Sequence, residues 1–325
     1  MGKVRPAMPL MVASARTKPG FRDEALLRPR SVVLVADPER PEARVVARNL
    51  AGGGFHGRLF AVGAADGFEA VDSVAALPDA PELAVLAVQP DRLPGTMRAL
   101  AARGCFAAIV HGPAPDLAAL GAETGVRALG QGSFGIAVPA IALNATLSHI
   151  APAPGRLALI TQSSALARAV LDWAAAEGLG FSHIVGIGGN QGIGFALVLD
   201  WLARDAATGA VLLDIRHIKN RRLFVSALRA VARTRPVVAL RAGARLADAS
   251  GIADQVMGAA LRRAGALRVG GFEELVAAAE TLARVRLTPR FGADPRGDRV
   301  AIVTNGTGLG ALAADALISG GGRLA

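Results

Sequence analysis

Cysteine and aromatic residues are scarce in this chain of 325 residues, which has one cysteine, no tyrosine and 4% aromatic residues in all. The single Cys105 excludes an internal disulfide and a multi-cysteine metal site, and we expect it to be a small buried residue. Few aromatic side chains are available to stack on bases, so we expect no nucleic-acid partner despite the net charge of +10. No uninterrupted apolar run approaches the roughly 20 residues of a membrane span, so we expect no membrane association.

The N-terminal residues differ in character from the rest of the chain. Residues 1–30 are basic, contain proline and lack a long apolar core, so they do not resemble a signal peptide. We expect them to form a mostly disordered extension. A reducing compartment is consistent with the single cysteine, and we expect a cytoplasmic protein.

Residues 31–150 alternate between short apolar runs and helical patterns. Strands that alternate with helices at this interval indicate a parallel sheet, so we predict a Rossmann-like domain here. The proline-rich stretch 151–155 is the predicted boundary to the next domain. The predicted strands are 31–36, 58–62, 83–88, 106–110 and 127–130, and helices are predicted over 42–51 and up to Gly104.

Residues 156–190 predict a strand, a helix and a second strand, which together form a βαβ unit. The first strand ends at Thr161, and Ser163 and Ser164 precede a helix over 165–177. Free backbone N–H groups and the positive end of the helix dipole favour an anion at this turn, so we predict an anion site at Ser163 and Ser164. The alternative is that one serine simply caps the helix without any ligand.

The remaining pattern predicts the rest of this domain and the start of another. We predict a flavodoxin-like, doubly wound parallel-sheet domain over 156–287. After it, a strand over 298–303 and a helix over 310–319 would begin a third α/β domain at 298–325. Because a single βα unit cannot bury its own apolar faces, we expect the chain to belong to a longer protein or to need a partner that covers these residues. The other strands of the flavodoxin-like domain are predicted at 209–215, 236–241 and 267–269, and its helices at 221–233 and 273–286.

Several short segments between Leu26 and the C terminus carry a family resemblance. They are Leu26–Ser31, Thr161–Leu166, Leu171–Ala174, Gly178–Ser182, Gly189–Asn190, Val303–Gly306 and Ala311–Leu317. In this order they resemble the ADP-forming (NDP-forming) acyl-CoA synthetases, which are similar to the alpha subunit of succinyl-CoA synthetase. The resemblance implies a CoA-binding Rossmann-like domain over 31–150 and a succinyl-CoA synthetase-like domain over 156–287. The same body, fused to a GNAT domain, occurs in bacterial protein-lysine acetyltransferases, where it resembles a regulatory acyl-CoA sensor.

The resemblance places CoA or acetyl-CoA at two loops of the first domain. In the family, the loop after the first strand is rich in glycine, so that the backbone can approach the CoA phosphates. Here residues 36–44 contain no glycine, and Asp37 adds a carboxylate that repels phosphate. Arg40 and Arg44 partly compensate, so we expect weak CoA binding through Asp37, Arg40 and Arg44. The alternative is a helix cap with a solvated, charged turn.

The second loop, Gly130–Gly135, stands where the family has a Gly-Pro-Asn turn. Both the proline and the asparagine are replaced, while the remaining glycines keep the loop tight. We expect Gln131, Gly132 and Ser133 to contact the pantetheine end of an acyl-CoA.

The catalytic histidine of the family is missing from this chain. In the family, phosphate passes from an acyl phosphate to a mobile histidine in a Ser-His-Thr-Gly-Ala motif and then to ADP. The matching stretch 247–254 contains no histidine, and Arg216 replaces a glutamate that steadies the phosphohistidine in the family. We therefore expect no catalytic residue and no metal site, and we do not expect this chain alone to bind ATP or ADP. His217, next to Arg216, is a candidate for a replacement base, because a nearby cation favours the neutral imidazole. The alternative is a capping or surface residue, which is the commoner role of a histidine at the end of a strand.

These features predict a CoA- or acyl-CoA-binding, catalytically degenerate acyl-CoA synthetase-like protein. Its expected role is the sensor or scaffold part of a protein acetyltransferase-like system. One alternative is an active ADP-forming acetate- or acyl-CoA ligase subunit that uses residues from a partner, and another is a structural interaction module. The expected partners are a CoA-type small molecule and an ATP-grasp or GNAT domain.

Overall fold

The computed structural model describes residues 20–285 and 299–325. The chain forms two compact units, which divide between Val285 and Arg286. The first unit contains two large sheets, and the second contains a short two-stranded sheet with one helix. None of the described helices is long and apolar enough to cross a membrane.

Six parallel strands form the first sheet. They are β1 (Ser31–Ala36), β2 (Arg58–Val62), β3 (Glu69–Val71), β4 (Leu83–Ala87), β5 (Ala107–Val110) and β6 (Arg127–Leu129). Their order is β3-β2-β1-β4-β5-β6, which is the order of a Rossmann sheet. Every residue of β4 is buried, because both faces of a central parallel strand are covered. The helices of this part are α1 (Asp23–Leu27), α2 (Pro41–Gly52), α3 (Leu93–Arg103) and α4 (Leu117–Thr124).

Seven strands form the second sheet. They are β7 (Gly135–Val138), β8 (Leu143–Thr146), β9 (Pro154–Thr161), β10 (Phe181–Gly186), β11 (Ala210–Asp214), β12 (Val237–Leu240) and β13 (Leu267–Val269). Their order is β13-β12-β11-β9-β10-β7-β8, in which the five parallel strands β9 to β13 follow the flavodoxin order. The helices are α5 (Ser164–Ala176), α6 (Phe195–Leu202), α7 (Arg221–Ala232), α8 (Ala244–Ala247), α9 (Ile252–Ala264) and α10 (Phe272–Arg284). The predicted fold class, an α/β protein with a Rossmann-like and then a flavodoxin-like sheet, is confirmed.

The two sheets share one apolar core. A single cluster of buried side chains contains Leu34 and Val85 from the first sheet together with Ile160 and Leu213 from the second. A continuous core holds the two sheets in one compact unit, and the loops at their strand ends therefore keep a defined arrangement.

The predicted boundary at 151–155 does not separate the two sheets. The hairpin β7–β8 lies before it in the chain, yet β7 pairs antiparallel with β10, with Ala137 opposite Ile184. The chain therefore changes sheets near Gly135. The apolar runs of β7 and β8 are only four residues long each, which is too short for their period to reveal which sheet they join.

Part of the expected disordered extension is ordered. Within residues 1–30, the segment 23–27 forms α1, and both Leu26 and Leu27 are fully buried in the shared core. Burying two leucine side chains contributes roughly 3–6 kcal/mol toward holding this short helix in place. The expectation of disorder is therefore wrong for 23–27, and residues 1–19 lie outside the described part of the chain.

The second unit contains β14 (Arg299–Val300), α11 (Thr307–Ser319) and β15 (Arg323–Leu324). The two strands pair in parallel, with Arg299 opposite Arg323, so the unit is a small βαβ arrangement. The strand predicted over 298–303 is shorter than expected, and β15 was not predicted. Residue 298 lies outside the described residues.

Candidate ligand site at the carboxyl ends of the strands

Each of the two large sheets has a point at which its strand order reverses. In the first sheet this point lies between β1 and β4, and in the second it lies between β9 and β11. The chain leaves the two strands at such a point in opposite directions, which opens a crevice at their carboxyl ends where α/β sheets bind ligands. The loops after these four strands therefore form the candidate ligand site.

Asp37 bridges the crevice of the first sheet. The residue follows β1 and is only 6% exposed. One carboxylate oxygen accepts a hydrogen bond from the backbone N–H of Gln89 at 2.6 Å, and the other pairs with the guanidinium of Arg92. Because Gln89 and Arg92 follow β4, the carboxylate occupies donors that an anionic ligand in this crevice would use.

Arg40 is not free to bind an anion. Its guanidinium Nη2 lies 3.0 Å from Oε1 of Glu42, and both side chains are largely buried. The guanidinium lies against Gly112, where any Cβ would overlap it. Arg44, in contrast, is exposed and makes no ion pair among the described residues. Of the two arginines predicted to attract phosphate, only Arg44 keeps its charge uncompensated.

His111 is a functional candidate that the sequence did not single out. It follows β5, is 1% exposed, and its Nδ1 lies 3.1 Å from the carbonyl oxygen of Ser133. Burial lowers the pKa of His111 to about 4, although the Ser133 carbonyl and the Glu42 carboxylate oppose this. The imidazole is therefore neutral near pH 7. Its Nε2 has no hydrogen-bond partner in the described part of the chain.

The loop Gly130–Gly135 joins the loops of both sheets. The N–H of Gly132 donates to the carbonyl of Gly112 at 2.9 Å, and the N–H of Gly189 donates to the carbonyl of Gln131 at 2.8 Å. Gly112 follows β5 of the first sheet, whereas Gly189 follows β10 of the second. Gln131 and Gly132 are themselves exposed, so they are available to a ligand at this junction.

Ser133 stabilises this loop from the inside and is not exposed to a ligand. Its side chain is fully buried, and its hydroxyl donates to the carbonyl of Gly186 while it accepts from the N–H of Gly135 at 2.9 Å. A hydroxyl committed in both directions has little capacity left for a ligand. The predicted contact between Ser133 and pantetheine stays a prediction, and its side chain does not favour it.

Gln162 bridges the crevice of the second sheet. Its Oε1 accepts hydrogen bonds from the backbone N–H groups of Arg216 and His217, at 2.8 and 2.9 Å. Its Nε2 donates to the carbonyl of Gly188 at 3.4 Å. One side chain therefore links the loops after β9, β10 and β11. The sequence showed Gln162 only as part of a family motif, because its three partners are distant in the chain.

Ser163 caps helix α5, as the simpler of the two interpretations predicted. Its Oγ accepts from the N–H of Leu166 at 3.2 Å, and its own N–H donates to Oγ1 of Thr161 at 2.9 Å. Ser164 is half-buried, and the N–H groups of Ser164 and Ala165 have no partner among the described residues. These two N–H groups at the positive end of α5 could still receive an anion, so the anion site stays a prediction.

The stretch 247–254, where the family has its histidine, is occupied by a local turn. The Asp248 carboxylate accepts from the Ser250 hydroxyl at 2.5 Å and from the N–H of Ala253 at 2.8 Å. The Ser250 hydrogen bond and the Ala253 N–H hold the pKa of Asp248 below its usual value. This carboxylate therefore fixes the start of α9.

The other acidic residue of the same stretch is held by two arginines. Asp254 pairs with Arg268 at 2.6 Å and with Arg241 at 2.9 Å. Arg268 first, and Arg241 second, hold the pKa of Asp254 below its usual value. No group of His, Cys, Asp and Glu in the described ranges 20–285 and 299–325 is arranged to hold a metal ion.

Both large sheets are doubly wound, the first parallel and the second mixed, and each has a crevice at the carboxyl ends of its parallel strands, which is where proteins of this class hold their ligands. Residues 154–282 match the family of succinyl-CoA ligase-like flavodoxin domains. The chain is 28% identical to the alpha subunit of ADP-forming acetate–CoA ligase I of Pyrococcus furiosus over 324 residues, 90% of this chain and 69% of that one. It is also 28% identical to ADP-forming acetate–CoA ligase I of Archaeoglobus fulgidus, over 90% of this chain.

A solved structure agrees with this relationship at the level of the fold. The dinucleotide-forming acetyl-coenzyme A synthetase 1 of Ca. Korarchaeum cryptofilum, in complex with phosphate and ADP, superposes with a TM-score of 0.82 at 23% identity, over 93% of this chain and 69% of that one. The similarity to ADP-forming acetate–CoA ligases extends over 90% of this chain. The chain spans less than half of the Archaeoglobus relative, 45% of its length.

Proposed function

We propose that this chain binds CoA or an acyl-CoA but does not itself carry out phosphoryl transfer. The stretch 247–254 carries the second part of this proposal. It holds no histidine, and its two carboxylates are committed to a helix start and to an ion-pair cluster. A carboxylate held by two arginines is a poor substitute for a mobile imidazole, because it can neither move nor accept phosphate without losing both pairs.

The first part of the proposal rests on the carboxyl-end loops. Backbone N–H groups of Ser164 and Ala165, the exposed Arg44 and the exposed Gln131 are available at or near the two crevices. They suit a ligand with several phosphate groups and a polar chain, as in CoA. Asp37 works against such a ligand, so binding is weak.

The proposed role of the protein rests on acyl-CoA binding without phosphoryl transfer. A domain that holds acyl-CoA and leaves it unchanged can report its concentration, so we propose a sensor or scaffold part of a protein acetyltransferase-like system. The competing proposal is an active ligase subunit. It is favoured by one observation, that the Pyrococcus relative is itself named a subunit, which means that ligases of this family can be assembled from more than one chain.

Replacing Asp37 by asparagine is expected to tighten CoA binding by about tenfold, because the negative charge is removed while the shape of the side chain is kept. Arg92 would then be released toward a phosphate. Calorimetry with CoA should give a wild-type dissociation constant between about 1 μM and 1 mM, and a smaller one for the variant.

Glu39→Gln is the matched control for this experiment. Glu39 lies in the same loop and loses the same charge, but it is exposed and has no hydrogen-bond partner among the described residues. We expect its effect to stay below about threefold, because solvent and salt screen an exposed charge. Equal effects of both variants would show that only the net charge matters, and no heat at millimolar CoA would contradict CoA binding altogether.

Incubation of the full chain with labelled ATP or labelled acetyl phosphate is expected to leave no acid-labile phosphate on the protein. The physical reason is that no imidazole is present in the stretch 247–254. A family member that retains the histidine is the positive control, and mass spectrometry would locate any label. Label on His217 or His183 would contradict the prediction and favour the ligase proposal.

A further inference from the structure

Helix α7 carries a row of exposed arginines that lack acidic partners. The helix itself contains neither aspartate nor glutamate. We define the arginine face as Arg221, Arg222 and Arg229 on the helix together with Arg233, which is its C-cap residue. None of them makes an ion pair within the described part of the chain. The four arginines line a groove of about 660 Å³ together with three smaller side chains, Val225, Ser226 and Ala230.

Exposed arginines elsewhere on this protein are in part unpaired, as Arg44, Arg48 and Arg216 are among the described residues, and in part paired with acidic residues. Four of them hold a carboxylate at 2.6 to 3.5 Å. These pairs are Arg30–Glu82, Arg58–Glu69, Arg98–Glu123 and Arg284–Glu177. The arginine face differs from these pairs because its four unpaired guanidinium groups lie together along one groove.

The position of the charges on α7 is unfavourable for the isolated helix. Arg221 and Arg222 lie in its first turn, where the positive end of the helix dipole repels them. Arg229 and Arg233 are four residues apart, so two like charges lie on adjacent turns. The first arrangement lowers the stability of the helix, whereas in the second the negative end of the dipole favours Arg229 in the last turn and opposes its repulsion from Arg233. An anionic surface that covers the face would stabilise both arrangements.

The dimensions of the face suit an acidic protein segment. From Arg221 to Arg233 the helix rises about 18 Å, at about 1.5 Å per residue, so that the charges recur at turn spacing. Guanidinium groups bind carboxylates with two parallel hydrogen bonds, and Val225 and Ala230 between them offer apolar contact to aliphatic stems of glutamate side chains. The groove contains no aromatic side chain on which a nucleic-acid base could stack.

We propose that the arginine face of α7 is a docking surface for an acidic helical segment of another protein. This surface is separate in sequence from the loops that we assign to CoA. The proposal therefore does not depend on the proposed function, and CoA titrations of the variants below would be unchanged if both are correct.

Fluorescence anisotropy with a labelled helical peptide tests the proposal. The peptide has about 20 residues with glutamate pairs at turn spacing, and the same peptide with glutamine in their place is its control. We expect the full chain to bind the glutamate peptide, and the variant Arg221→Gln/Arg222→Gln/Arg229→Gln/Arg233→Gln to bind it at least about tenfold more weakly. The affinity should also fall as salt is raised from about 0.05 to about 0.2 M.

The matched control variant removes the same number of charges elsewhere. Arg30→Gln/Arg58→Gln/Arg98→Gln/Arg284→Gln changes exposed arginines that are already paired, and we expect it to weaken peptide binding by less than about twofold. Circular dichroism and thermal melting would establish that both variants fold.

Three outcomes would overturn the proposal. Equal losses in both variants would show a response to net charge alone, and absence of binding to the glutamate peptide would leave the face without this partner. Tighter binding of a single-stranded DNA of about 20 nucleotides, or of phosphatidylserine vesicles, lost in the α7 variant only, would assign the face to nucleic acid or to a membrane surface instead.

Discussion

Acidification from about pH 7 to about pH 4 is expected to lower the free energy of unfolding by up to about 3 kcal/mol through His111 alone. In the folded protein, burial lowers the pKa of His111 from 6.5 to about 4. Between these pH values His111 is protonated in the unfolded chain but stays neutral in the folded protein, so the free energy of unfolding falls as the pH falls. Glu42 is the acidic residue that opposes this effect, and its partner Arg40 limits how far it can do so.

Urea unfolding at a series of pH values, for the wild type and for His111→Asn, measures this contribution. Asparagine keeps a donor for the Ser133 carbonyl but does not titrate, so the variant should lose less stability on acidification. Burial lowers the pKa of His183 as well, which adds a slope common to both proteins. His56→Asn, at an exposed histidine, is the control and should follow the wild type. Identical pH profiles for His111→Asn and the wild type would contradict the assignment.

Replacing Gly135 by alanine is expected to cost more than about 3 kcal/mol of stability. The backbone of Gly135 has φ +101°, in the region that favours glycine, and a Cβ there would overlap the carbonyl oxygen of Ala145. Because β7 lies between β10 and β8 in the sheet, the strand cannot move away from one neighbour without meeting the other. The melting temperature or the urea midpoint of the variant measures the effect.

Gly95→Ala provides the matched control for this substitution. Gly95 lies in α3, and nothing lies within 4 Å of a Cβ built on it. Alanine in a helix is favoured over glycine, so we expect a gain of about 0.5–1 kcal/mol. An unchanged melting temperature for Gly135→Ala would contradict the close approach of Gly135 to the Ala145 carbonyl in the β7–β8 hairpin.

The strands that lie in the middle of the sheets could be predicted from the sequence. β1 and β2 have the predicted bounds, and β4 and β11 differ from them by one residue at the ends. A parallel strand covered on both faces reads as an unbroken apolar run, which is a local signal that needs no knowledge of neighbours. The alternation of these runs with helices also determined the fold class.

Elements whose burial depends on distant residues escaped prediction. α1 is only five residues long and charged at its start, and it is stable because Leu26 and Leu27 enter a core built mainly by later residues. The hairpin β7–β8 precedes the predicted boundary, but it completes the second sheet through pairs with β10. Short segments carry too few residues for their periodicity to decide between alternatives, so tertiary contacts decide.

Some features of the candidate site could likewise be predicted from the sequence, and others depend on the tertiary structure. The sequence alone determined the cap at Ser163, because a serine and the N–H three residues later meet within one turn of helix. It also determined that the stretch 247–254 holds no histidine. Only the tertiary structure decided that Asp37 is held by Gln89 and Arg92, more than fifty residues away in the chain. The sequence determines which side chains carry a charge. Whether a charged side chain is already paired or is available to a ligand depends on which loops the sheets bring together.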